Sequence, residues 1–68
     1  MSKTTSALTK KEEEVLTVLA KGLLYKEISV QLLISIDTVK KHCKNIYKKL
    51  NVRNRTEATN YFNSQKAA

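Results

Sequence analysis

Seven basic side chains, Lys40, Lys41, Lys44, Lys48, Lys49, Arg53 and Arg55, fall within residues 38–55, and no acidic residue lies among them. Ammonium and guanidinium groups at this density can neutralise phosphates and donate to guanine O6 and N7, and they repel one another unless a polyanion faces them. Elsewhere the chain is balanced. Residues 1–37 hold as many acids as bases and Glu57 offsets Lys66, so the whole formal charge of +7 resides in this block. Nucleic acid is therefore the leading partner, ahead of an anionic membrane surface. Other chemistry lacks its residues: one Cys and one His cannot complete a four-ligand metal site. No Gly-rich phosphate loop and no carboxylate pair beside a nucleophile occurs. Neither catalysis, nor a cofactor, nor a metal is expected.

These side chains need a scaffold, and 68 residues allow one small domain. A content of 41% hydrophobic and 28% charged residues is that of a folded chain rather than a disordered one. A single Gly and the absence of Pro leave helices as the economical solution. The lone cysteine suits a reducing compartment, and neither a signal peptide nor a run of about 18 apolar residues is present, so the expected location is the cytoplasm, with no membrane partner.

Four helices can be traced. Thr9 and Glu12 form a capping box for a first helix over about 10–21, with Val15, Leu16 and Leu19 on one face and Gly22 just past its end. Glu12, Glu13 and Glu14 stabilise its first turns through the helix dipole. Tyr25, Ile28 and Leu32 mark a second helix of about two turns, with Leu23 and Leu24 as core residues anchoring the link. Leu33, Ile34 and Ser35 make a three-residue connection, with Ser35 as the cap of a third helix. In that third helix Ile36, Val39, Cys43, Ile46 and Leu50 repeat in steps of three and four, and with Tyr47 they span an arc of about 100° assigned to the core. Cys43 is thus a packing residue. With Lys40 at zero, Lys44 lies at about 40°, Asp37 at 60°, Lys48 at 80°, Lys41 at 100° and Asn45 at 140° on the opposite side. Asn54 and Glu57 offer a second capping box, for a fourth helix carrying Ala58, Tyr61 and Phe62. The expected domain is residues 8–64, flanked by a flexible segment 1–7 and a frayed tail 65–68.

The fold class is therefore all-α, a four-helix domain whose second and third helices form a helix-turn-helix. Such a unit lays its second helix in the major groove of duplex DNA. The pattern Leu8-Thr9, Glu12, Glu14-Val15-Leu16, Lys21-Gly22-Leu23, Lys26-Glu27-Ile28, Leu32, Ile34-Ser35, Thr38-Val39-Lys40, His42, Asn45-Ile46, Lys49-Leu50, Val52 and Asn54-Arg55-Thr56-Glu57-Ala58 resembles the LuxR/GerE-type DNA-binding domain over about residues 8–62.

The resemblance implies a sequence-specific transcriptional regulator, either the output domain of a NarL/FixJ-type response regulator in a two-component system or a stand-alone GerE-like protein. It implies that Lys40, Lys41 and Lys44 face base edges and that Thr38 approaches the phosphate backbone. His42 is divided between a backbone contact and packing. Helical geometry adds Lys48 as a phosphate contact and puts Asn45 on the same cationic side. Glu27 is expected to pair with a base of the third helix or with Arg55. The fourth helix is implied to join a homodimer on DNA through Tyr61, Phe62 and Ala58, reading an inverted or direct repeat of short half-sites. Against the usual pattern, Lys11 replaces Arg, Leu24 replaces a polar cap and Tyr25 stands at a commonly polar position. Two other readings remain open: a module like region 4 of a sigma factor, which would add RNA polymerase as a partner, and a basic helical module for an acidic protein.

Overall fold

The computed structural model describes residues 8–67, so the expected flexible segment 1–7 lies outside the described residues. Its helices are α1 (Lys10–Ala20), α2 (Tyr25–Leu32), α3 (Ile36–Leu50) and α4 (Arg55–Ala67). The last continues through residues 65–67, where a frayed tail was expected. None of the helices is long and apolar enough to cross a membrane.

Three of the four starts, those of α1, α3 and α4, are fixed by a side chain acting on the orphan amides of the first turn. Thr9 Oγ1 accepts from the Glu12 amide at 3.1 Å and Glu12 Oε1 accepts from the Thr9 amide at 3.0 Å, the expected capping box. Ser35 accepts from the Thr38 amide at 3.1 Å to begin α3. For α4, Asn54 Oδ1 accepts from the Glu57 amide at 3.0 Å. The Glu57 carboxylate, however, reaches one residue past the cap, to the Arg53 amide at 2.7 Å. Leu24 has no acceptor to offer α2. Half of a capping box survives there, because Glu27 Oε1 accepts from the Leu24 amide at 2.7 Å.

Helices α2 and α3 end alike. Leu33 (φ 59°) and Asn51 (φ 58°) take the left-handed conformation. Behind them, Ile34 donates to the Ser29 carbonyl at 3.0 Å and Val52 to the Tyr47 carbonyl at 2.9 Å. These are Schellman closures, and they fold Ile34 and Val52 back against the core. Helix α1 instead hands over through Gly22, whose φ of +89° is one that glycine adopts without steric cost.

The core draws on every helix: Leu8, Val15, Leu16, Val18 and Leu19 from α1 and its approach, Ile28 from α2, Val39, Cys43, Ile46 and Leu50 from α3, and Ala58 from α4. Helix α1 packs on both α3 and α4, while α2 packs chiefly on α3. Three expectations need correction. Leu24, expected in the core, is 62% exposed, because the N-cap position projects away from the packed face. Ile36 is 39% exposed at the open end of the α3 stripe. Ala58, expected at a dimer contact, is wholly buried, because the small side chain sits where α4 closes on the core.

Leu33 combines a left-handed backbone with 89% exposure, so it bears strain without packing in return. Leu33→Gly is expected to stabilise the domain by about 0.5–1 kcal/mol, the relief of strain exceeding the added freedom of the unfolded chain. A higher melting temperature by circular dichroism is the result to look for.

Candidate nucleic-acid interface

Helix α3 turns its apolar stripe inward and leaves the other side open. Asp37, Lys40, Lys41, Lys44, Asn45 and Lys48 together line one shallow, open depression along it. The four lysines and Asp37 are exposed, whereas Asn45 is half-buried at the edge. Thr38 is half-buried in the first turn, and its hydroxyl lies 2.8 Å from that of the capping Ser35. The lysines expected on one face are therefore brought together there, with Asn45 beside them and Thr38 at the helix start.

Other cations of the basic block are used inside the molecule. Lys49 Nζ lies 2.8 Å from Glu12 Oε1, an ion pair that joins α3 to the start of α1, and the Glu12 side chain is almost entirely covered. Burial alone would raise the Glu12 pKa. The Lys49 hydrogen bond, the Thr9 amide and the charges of Lys49 and His42 outweigh it, so the carboxyl is held below its ordinary value. His42 is thus half-buried on the Glu12 side, at about 200° from Lys40, and is not brought to the lysine face.

Arg55 has a similar internal role. Its Nη2 donates to the Leu19 carbonyl at 3.1 Å and also to the Leu23 carbonyl, and its guanidinium stands 6.0 Å from the centre of the Tyr25 ring. The start of α4 is thereby tied to the end of α1 and stacked on α2. Tyr25 at a commonly polar position is explained by this stacking. Tyr25 also borders Cys43 and Tyr47: burial pushes the Cys43 thiol up, and burial followed by the neighbouring Tyr25 hydroxyl pushes Tyr47 up further. The expected partnership of Glu27 with Arg55 or α3 does not form among the described residues, because its carboxylate is engaged by the Leu24 amide. Lys11 makes only an exposed pair with Glu14 at 3.4 Å, of a kind that contributes little.

A short helix, a three-residue turn and a longer helix with a cationic outer face make a helix-turn-helix, and the sequence comparisons agree. Residues 6–62 match the family described as "Bacterial regulatory proteins, luxR family". The chain belongs to the luxR family of bacterial regulatory proteins. It is 49% identical over 63 residues to the nitrate/nitrite response regulator protein NarP of Escherichia coli, covering 93% of this chain and 29% of that protein. It is also 49% identical over 55 residues to the transcriptional regulatory protein LiaR of Bacillus subtilis, covering 81% and 26% respectively. A third relative, the transcriptional regulatory protein LnrK of Bacillus subtilis, is 52% identical over 54 residues, or 79% of this chain and 24% of that protein. The chain spans under a third of the length of these relatives.

This luxR-family unit is a DNA-binding domain of transcriptional regulators, and its α3 is the element suited to the major groove, which is about 12 Å wide and admits one helix. Sequence reasoning separated the outward lysines correctly. It missed that Lys49 is structural, although a signal existed: it falls at about 180° from Lys40, off the lysine face. Arg55, expected in a structural role beside Glu27, has that role with the Leu19 and Leu23 carbonyls as its partners instead.

The Glu12–Lys49 pair makes a pH test possible. Because the folded-state pKa of Glu12 is lowered, its contribution is complete above the unfolded value and is lost as pH falls through the folded one. Urea unfolding should show declining stability below about pH 4.5, the ordinary value. Glu12→Gln should cost about 1–3 kcal/mol at pH 7 and weaken that acid dependence. An unchanged acid slope would remove Glu12 as its source.

Proposed function

We propose that this luxR-family domain is the DNA-reading output unit of a longer, cytoplasmic response regulator, and that it acts as a homodimer on paired half-sites. The observation that carries the reading is the lysine-rich face of α3, held outward by a helix whose opposite side is packed into the core. NarP, a relative named as a response regulator, is matched over only 29% of its length, which leaves ample chain there for a regulatory part.

In this reading Lys40, Lys41 and Lys44 donate to base edges, the guanine O6/N7 pair being the matching acceptor, while Asn45 borders them. Lys48, nearer the C-terminal end of α3, and Thr38 at its start contact phosphates and fix the register. The exposed amide end of α3 favours a phosphate oxygen as well. Arg55 serves from behind the interface by holding α4 in place, and His42 stands on the Glu12 side of α3 rather than on the groove side.

Dimer formation rests on α4. With Ala58 inside the core, the candidates are Tyr61 and Phe62, both half-buried. Phe62 borders a small recess with Leu8, Glu13, Leu16 and Thr17, so much of its ring is committed to α1. Tyr61 is the better contact. Two copies related by a two-fold axis would put two recognition helices about 34 Å apart, one turn of DNA.

Two experiments test this. Lys40→Ala or Lys44→Ala should cost about 1–3 kcal/mol on a selected duplex and relax base preference at one position per half-site. Lys48→Ala should instead weaken all duplexes alike and reduce the salt slope by about one per contact removed. The opposite assignment of effects would mean that α3 lies in another orientation. For the dimer, inserting about five base pairs between half-sites turns one to the far side and should abolish cooperative binding. Cooperativity that persisted at every spacing and in Tyr61→Ala would eliminate the α4 interface.

A further inference from the structure

Ile36 breaks the pattern of α3. The other members of its apolar stripe, Val39, Cys43, Ile46 and Leu50, are at most 8% exposed, whereas Ile36 is 39% exposed. It is the first residue of the helix, directly after the capping Ser35. With Lys40 at zero, Ile36 lies at about −40°, and Lys44 and Asp37 at about 40° and 60°, so it occupies the seam between the packed stripe and the cationic face. Tyr47 has a similar angle three turns on, but there Tyr25 lies beside it; exposure at the helix start is what separates the two.

We propose that Ile36 is a specificity-determining residue that recognises the 5-methyl group of a thymine in the major groove. The assignment rests on the DNA-binding reading above and deepens it. In helix-turn-helix docking the N-terminal residues of the second helix approach base edges most closely. Around that end the lysines and Asp37 supply donors and an acceptor. Ile36 supplies the apolar surface, and among base edges in the major groove the thymine methyl is its apolar counterpart. The side chain is β-branched and therefore stiff, so little conformational freedom is lost when the methyl is covered. Position 36 is one turn, about 6 Å, N-terminal to Lys40, which puts the thymine at the flank of the bases reached by Lys40 and Lys44.

The test uses a duplex selected from a random pool by the protein itself. Each thymine of the selected site is replaced in turn by deoxyuridine, which lacks only the methyl group, and binding is measured by fluorescence anisotropy. One thymine per half-site, flanking the bases whose preference Lys40→Ala relaxes, should be sensitive, with affinity falling about 3- to 10-fold on loss of its methyl. Ile36→Ala should bind the thymine and uracil duplexes equally, and Ile36→Val should retain most of the discrimination. Helical circular dichroism and nonspecific binding should be little changed in both variants, since the residue stands outside the buried core cluster. Tight wild-type binding indifferent to every replacement, or discrimination that survives Ile36→Ala, would overturn the assignment while leaving the DNA reading intact. Failure to select or bind any duplex would overturn both.

Discussion

Helix α3 has to serve as the centre of the core and as the outward element at once, and the rest of the domain is arranged around that double use. Val39, Cys43, Ile46 and Leu50 fix its rotation, because turning the helix would expose residues that are now closed off. In so small a domain the total stability is only about 3–5 kcal/mol. Burial of those four side chains is therefore not an addition to the fold but most of what orients it. The lysine face is a consequence: once the stripe is inside, Lys40, Lys41, Lys44 and Lys48 have only solvent to face.

Two polar ties complete this arrangement at the helix ends. Glu12–Lys49 connects the first turn of α1 with the end of α3, and Arg55 connects α4 with the carbonyls of Leu19 and Leu23. Each joins a helix terminus to a distant segment. Each also removes a cation from the block that first suggested a polyanion partner. Charge along the chain is thus an overcount of charge at the interface, since pairing with a carboxylate or with carbonyls satisfies a cation internally. The Glu12 carboxylate is stable there because it has a cation and an amide; without them, desolvation would raise its pKa rather than lower it.

Helix positions, the turn and the lysine face were all legible in the sequence, because they come from local rules: a 3.6-residue period, capping side chains and a left-handed residue after the last turn. Local rules cannot supply which neighbour lies across the gap. Ile36 and Leu24 have the right residue type for the core, but each stands at a helix end where much of the side chain stays open to solvent. Ala58 was assigned outward for want of any signal that α4 approaches the core there. Glu27 had two distant partners available by charge, yet an amide three residues away costs less chain ordering, and the local bond prevailed. Lys49 and Arg55 illustrate the reverse, a long-range partner winning where the local sequence offered no competitor.

The cationic face also carries a cost that bears on function. Lys40 and Lys44, and Lys44 and Lys48, stand four residues apart on one exposed side, a spacing at which like charges oppose the helix by about 0.2–0.5 kcal/mol per pair. Asp37 at the N-terminus and Lys48 and Lys49 at the C-terminus partly offset this through the helix dipole. A polyanion reverses the sign of the repulsion, since phosphates screen the lysines from one another while the packed side of α3 stays as it is. In the proposed binding mode the core keeps its packing, and counterions leave a face already presented. Salt acts on the two states in opposite directions: it relieves the free helix and weakens the complex. In the proposed complex the same four lysines tie the domain to duplex DNA by the very charge that its small core has to tolerate alone.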